Sequence, residues 1–226
     1  MPLIMEDSST QLKSDLEILN KMYADIPNTR CVRGDCGDWC CSRLPGCEDE
    51  QGRFISLPMI YSIEYMNIKK YILSTRTATE VEYLAEFGNK MKMCSFRQRS
   101  AGICGVYPVR PFSCQVNGRK VPPHFWGREV TEEAAKGIVC KDCHPQEPKK
   151  EEEFIKRYTG IWDQLADLSF RNPLLKGRKQ EIFKQMTGFE NIYIFGWHEF
   201  CILDMKDEKW FEDNLKEFWA IYGNLF

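Results

Sequence analysis

Histidine is scarce in this chain, with three among 226 residues, which leaves little room for a His-rich catalytic metal site. No run of about eighteen apolar residues is present, so no membrane-spanning helix is expected. The N-terminus, MPLIMEDSSTQLKSD, carries acids and no long apolar stretch, and does not read as a secretory signal. A Walker loop, G-x-G-x-x-G, H-E-x-x-H and G-x-S-x-G are all missing, which removes the common nucleotide, zinc-protease and serine-hydrolase signatures. Repeats and low-complexity tracts are also lacking. With net charge −2 and a pI near 6.0, no overall basic field argues for nucleic acid, and none is expected as a partner.

What is abundant is cysteine. Ten of the eleven lie between Cys31 and Cys143, and Cys201 stands apart. Without an export signal the expected location is the cytoplasm, where a disulfide framework is disfavoured, so metal binding or redox chemistry becomes the default for clustered thiols. The stretch Cys94–Cys114 organises the rest. Its three cysteines, Cys94, Cys104 and Cys114, are separated by equal gaps of nine residues, and Gly, Pro and Ser break the segment too often for one helix. Such loops suit a chain that folds back to present several sulfurs to one point. From Cys94 to Gly127 there are four arginines, one lysine and no acid. Four thiolates around Zn²⁺ or a [4Fe–4S]²⁺ cluster leave a charge of about −2, which guanidinium groups and backbone N–H donors can offset.

A second group, CVRGDCGDWCCSRLPGC, supplies Cys31, Cys36, Cys40, Cys41 and Cys47 among glycines that allow tight turns. Adjacent side chains tend to point apart, so Cys40 and Cys41 suit different centres. Cys140 and Cys143 lie in CKDCH. That pentapeptide is also the c-type haem attachment pattern, but covalent attachment normally needs export, and the βαβ frame of a thioredoxin-like pair is missing. Two further ligands is the economical reading. Radical S-adenosylmethionine spacing, C-x3-C-x2-C, begins at Cys36 and Cys40 but finds no cysteine at position 43. The ferredoxin run and paired zinc knuckles are missing too.

Around these groups the periodicity predicts helices. One spans 8–25, capped by Ser8 or Ser9 and striped by Leu12, Leu16, Leu19 and Met22 until Pro27. Another spans 57–73, with Ile60, Ile63, Ile68 and Ile72 apolar and Glu64 on the helix; a helical Glu commonly faces solvent, and the alternative is that it ligates or orients something near the centre. Short helices are read at 78–91 and around 130–138, with His124 in a rigid loop between them. Beyond Pro148 a solvated charge run opens a helix over 151–169 whose face is Phe154, Tyr158, Ile161, Trp162 and Leu165. A helix at 175–187, a short strand or irregular segment over 191–203 and an aromatic helix over 208–222 complete the chain. The expectation is a single domain, 1–226: mainly α, loop-rich, its helices arranged around a cysteine-bound metal centre, with 31–143 as metal-binding core and 150–226 as a helical C-terminal extension packed on it.

CGDWCC, Glu64 on a helix, then CSF and C-G-V-Y-P-V-R-P-F-S-C together resemble the YkgJ-like cysteine-cluster family, the CxxCxxCC zinc- or iron-chelating domain. Its most specific pattern, C-x-I-Y-x-x-R-P-x-x-C, is met by Cys104, Tyr107, Arg110, Pro111 and Cys114, and its C-x-F by Cys94 and Phe96. The first half departs from the pattern: Cys31, Cys36 and Cys40-Cys41 are spaced more widely than C-x2-C-x2-C-C. The resemblance covers about 31–115, extending toward Cys143, and implies a mostly helical, loop-rich chelating domain. Flagellin lysine N-methylases look similar in this motif, which adds methyl transfer as an activity.

The candidate ligands are therefore Cys31, Cys36, Cys40, Cys41, Cys94, Cys104, Cys114, Cys140 and Cys143. Arg110, Glu64 and Tyr107 are supporting or anion-binding residues, Arg110 either holding its loop or offsetting cluster charge. Many thiols, few histidines and the neighbours Trp39, Phe96, Tyr107 and Phe112 favour one or two iron–sulfur clusters, [4Fe–4S] foremost, with Zn²⁺ as the alternative. Three functions remain: an iron–sulfur electron-transfer or accessory protein, a metal-dependent protein or peptide modifier resembling a methyltransferase, and a zinc-stabilised interaction module. Another protein is the expected partner.

Overall fold

The computed structural model describes residues 3–27, 29–31, 47–48, 54–55, 59–77, 79–80, 94, 96–98, 103–116, 119, 124–125, 128–129, 143–187, 193–211 and 213. These are mostly helical. Helix α1 (Leu3–Ala24) starts five residues before the expected 8–25, because Leu3, Ile4 and Met5 are good or tolerable helix formers and no breaker stands among them. Ser8 and Ser9 thus lie inside the helix and are not caps. The apolar stripe behaves as its spacing requires, with Leu16 and Leu19 buried and Leu12 and Met22 packed against them.

The expected 57–73 helix divides. Residues Met59–Tyr61 form strand β4, and α2 runs over Ser62–Thr75. Ile60 is therefore in a strand, held antiparallel against β10 (Ile194–Gly196) with Phe195 opposite it. Ile60, Ile63, Ile68 and Ile72 are all buried nonetheless. An isoleucine pattern cannot by itself separate a short buried strand from the first turn of a helix. The same confusion recurs at 191–203, where only β10 is extended and Trp197–Met205 is helix α6, not strand or irregular chain. Trp197, Phe200, Cys201 and Leu203 place that helix in the core.

Five two-stranded ribbons form the β structure of the described residues. Besides β4–β10 they are β1 (Thr29–Cys31) with β9 (Cys143–Pro145), β2 (Cys47–Glu48) with β3 (Phe54–Ile55), β5 (Arg97–Gln98) with β6 (Ile103–Cys104), and β7 (His124–Phe125) with β8 (Arg128–Glu129), all antiparallel. A 3-10 turn (Tyr107–Val109) leads into the short helix α3 (Phe112–Val116). Helix α4 (Pro148–Arg171) has Pro148 at its start and buries Phe154, Tyr158, Ile161 and Leu165, the face read from sequence. Glu151 is the exception to the solvated charge run: it is buried. Asn172 then accepts from the Leu174 N–H and starts a 3-10 turn (Pro173–Leu175), and helix α5 (Arg178–Thr187) follows Gly177, whose φ of 91° is the left-handed conformation glycine tolerates. Residues 208–211 open the aromatic helix, with Phe211 buried. Apart from residue 213, the rest of that helix, the 130–138 helix and nearly all of the 78–91 helix lie outside the described residues.

Two apolar clusters meet along α2. One gathers Tyr65, Ile68 and Ile72 with Cys94, Phe96, Val106 and the α6 residues Trp197, Phe200 and Leu203. The other gathers Leu16 and Leu19 of α1, Ile63, Phe112 and the α4 face. Met66 and Tyr193 pack against both. Among the described residues no helix is long and apolar enough to cross a membrane.

Candidate metal centre

The segment rich in Gly, Pro and Ser folds back as its breakers require. In the β5–β6 hairpin Cys104 is the register partner of Arg97, and the Gly105 N–H donates to the Phe96 carbonyl at 2.7 Å. Val109 N–H closes the 3-10 turn on Val106, and Cys114 and Gln115 N–H both donate to the Pro111 carbonyl. Phe96 anchors the hairpin by packing edge-on against Trp197, ring centroids 4.9 Å apart.

Three of the expected ligands belong to this segment. Cys94 is buried, Cys104 and Cys114 are half-buried, and none is in a disulfide. The Cys114 thiol itself is enclosed, and burial pushes it well above the usual thiol range. Cys94 and Cys104 push it further up, Glu64 adds to this, and only the Arg110 guanidinium opposes. The Cys94 and Cys104 sulfurs are thus near enough to Cys114 to act on its charge. Their softness and number fit a thiolate-bound metal in kind. Among the described residues, however, no three His, Cys, Asp or Glu side chains are set to hold one ion.

Glu64 does not face solvent: it is 2% exposed. Its carboxyl group accepts from the Tyr61 N–H (2.8 Å), the Phe112 N–H (2.6 Å) and the Tyr23 hydroxyl. Burial raises its pKa, while the Phe112, Tyr23 and Tyr61 hydrogen bonds pull it back. Tyr23 is partly exposed along its ring but enclosed at its hydroxyl, which burial and the Glu64 charge hold well above the usual phenol range. The carboxyl thus ties the end of α1 and the start of α2 to the first residue of α3, two positions before Cys114. Two of these donors meet Oε1 and one meets Oε2.

Among the described residues the Arg110 guanidinium meets no carboxylate. It lies over the Tyr107 ring, 4.2 Å from the centroid, and the Gln115 side chain donates to the Arg110 carbonyl. The guanidinium also acts against the upward shift of the Cys114 thiol.

Cys31 and Cys143 are described by backbone alone and are register partners in β1–β9. Cys47 stands opposite Ile55, and His124 opposite Glu129. Cys36, Cys40, Cys41 and Cys140 lie outside the described residues. Cys201 is buried in the same apolar cluster as Cys94, beside Tyr65, whose hydroxyl donates to Asp204 at 2.6 Å. Lys69 pairs with the same carboxylate at 2.5 Å.

Two supports escaped the sequence. Tyr23 lies 41 residues from Glu64 with no motif joining them. Arg119, 4% exposed, pairs with Glu151 at 2.5 Å, donates to the Gln115 carbonyl at 3.1 Å and to the Pro27 carbonyl, and lies over Phe154. The lack of acids between Cys94 and Gly127 was read as positive charge for a thiolate centre, whereas Arg119 pairs with Glu151, 32 residues away.

Fold and site together define a mainly helical chain with a buried neighbourhood of thiols braced by a carboxyl group. A scan against protein-family models and searches of curated proteins and of solved structures found no match to it.

Proposed function

We propose that this chain is a cysteine-cluster protein holding a thiolate-bound metal centre, iron–sulfur before zinc, and that it works in electron transfer or as an accessory to a modifying enzyme, with another protein as partner. The observation that carries the reading is the shared neighbourhood of Cys94, Cys104 and Cys114 beside Glu64 and Arg110. The Cys114 thiol, whose ionisation is opposed by burial and by the neighbouring Cys94 and Cys104, is a group that a cation would relieve, because a coordinated thiol is deprotonated outright. Cys94, Cys104 and Cys114 would hold the metal, with further sulfur from Cys31, Cys36, Cys40, Cys41, Cys140 and Cys143. When bound, an iron–sulfur cluster supplies one-electron transfer. The chain's own residues do the rest: Phe96, Val106 and Phe112 exclude water, Glu64 fixes α3, and Arg110 offsets negative charge.

The test is anaerobic purification followed by visible spectroscopy and iron, sulfide and zinc analysis. A brown protein with iron and acid-labile sulfide is expected. Cys114→Ser should lose most of the metal and Cys201→Ser should retain it, because Cys201 stands outside the clustered cysteine motifs and meets the Tyr65 hydroxyl. A colourless protein with stoichiometric zinc would support the interaction module, and one that binds neither metal would end the proposal. S-adenosylmethionine binding by the iron-loaded chain would favour the methyltransferase-like enzyme.

A further inference from the structure

We propose that Cys31 and Cys143, placed opposite each other by the β1–β9 ribbon, form a redox-active dithiol that closes to a disulfide in the presence of peroxide. The two are far apart in sequence yet direct Cα partners in an antiparallel pair, with Thr29 opposite Pro145 and Arg30 opposite His144. Direct partners in such a ladder have Cα atoms about 5.5 Å or about 4.5 Å apart, according to whether the pair is hydrogen-bonded. Both separations fall within the roughly 4.4–6.8 Å that a disulfide spans. Closure therefore requires no change of register.

The ribbon is also fixed at its base. Arg119 donates to the carbonyl of Pro27, two residues before β1, and pairs with Glu151, six residues after β9. One buried guanidinium thus holds the chain on both sides of the ribbon, which resists a slip in register. A slip by a single residue would put Arg30 or Val32 opposite Cys143 and move every side chain to the other face. The juxtaposition is thus anchored by a contact independent of the strand pairing itself.

The chemistry balances. The thiolate of one cysteine attacks the O–O bond of hydrogen peroxide, forming a sulfenic acid and releasing hydroxide. The sulfur of the other displaces hydroxide from that sulfenic acid, and the S–S bond forms. The two thiols lose two electrons and two protons, and peroxide becomes two waters. A small dithiol or thioredoxin-type reductant reverses the step by exchange. In a reducing compartment a bond of this kind serves sensing or catalysis instead of permanent structure.

The inference stands on strand register and not on the metal reading, so it is tested on the full chain after chelation. The protein is exposed to hydrogen peroxide, remaining thiols are alkylated, and an unreduced digest is mapped by mass spectrometry. The expected result is a linked Cys31–Cys143 peptide as the dominant bridge, lost again on treatment with dithiothreitol. The double change Arg30→Cys with Cys31→Ser keeps a thiol in the strand but moves it opposite His144, and should abolish the link to Cys143. Recovery of both cysteines alkylated, or linked mainly to other cysteines, would overturn the proposal. A chain that binds no metal but forms this bridge would leave the inference standing while removing the metal centre.

Discussion

At Glu64 three donors, and no cation among the described residues, hold a carboxyl group in an apolar setting. Hydrogen bonds to such a group contribute about 1.5–3 kcal/mol each when it is charged, so Tyr23→Phe should destabilise the fold by about that amount. Glu64→Ala should cost more than Tyr23→Phe, because it leaves two buried backbone N–H groups without their acceptor. Urea unfolding midpoints measure both, and a Glu64→Ala midpoint equal to wild type would refute the bracing role. Glu64→Gln tests the chemistry separately: it keeps one acceptor oxygen but turns the other position into a donor facing a donor, and an intermediate loss is expected. Glu64 was legible as a residue of interest, since a lone acid on an isoleucine-rich helix stands out. Its partners were not. Two of them are main-chain N–H groups, which every residue carries, and sequence cannot say which will arrive.

Among the elements, α3, α4 and the segment between α1 and β1 are joined by the Arg119 contacts. Removing one partner of a buried pair leaves an uncompensated charge, which typically costs about 3–5 kcal/mol. Arg119→Met should therefore lower stability by several kcal/mol, and Glu151→Met added to it should recover part of that loss, since two apolar side chains can fill the space of a buried pair. A double variant no more stable than Arg119→Met would show that the guanidinium's bonds to the Pro27 and Gln115 carbonyls carry the effect instead. Long amphipathic elements were legible because period 3.6 dominates over many turns: α4 and the α1 stripe match their reading closely. The errors fall at strand–helix junctions. Met59–Tyr61 and Ile194–Gly196 are each three residues long, too short for period 2 to show, and each exists because the other pairs with it. Glu151 shows a related limit. A run of Lys and Glu reads as solvated, yet one member turns inward once Arg119 arrives from another segment.

At the scale of the whole molecule, burial raises four tyrosines among the described residues. Tyr158 is pushed up to about 12. Tyr23, Tyr61 and Tyr65 are raised as well, with neighbouring Glu64 adding to burial for the first two and Cys201 and Asp204 adding for the third. Each folded value exceeds that of the unfolded phenol, about 10. The folded state then binds more protons than the unfolded state between the two values, so stability is intact below about pH 10 and falls as pH rises toward them. In an alkaline titration these four phenols should ionise only as helical circular dichroism is lost. Tyrosinate absorbance complete for all nine before any loss of helicity would contradict their burial.

The β4–β10 ribbon has a consequence for synthesis on the ribosome. Tyr61 pairs with Ile194, and the Ser62 N–H donates to the Tyr193 carbonyl, so the strand that begins the Glu64 brace cannot find its partner until residues near 196 have emerged. At about 5–20 residues per second, the intervening chain takes on the order of ten seconds to make. For the later part of that interval Ile60, Cys94, Cys104 and Cys114 have been translated while the wall formed by Trp197 and Phe200 has not. The nascent chain thus passes through a period in which its thiols are accessible to metal donors, oxidants and chaperones alike, and arrival of α6 ends it.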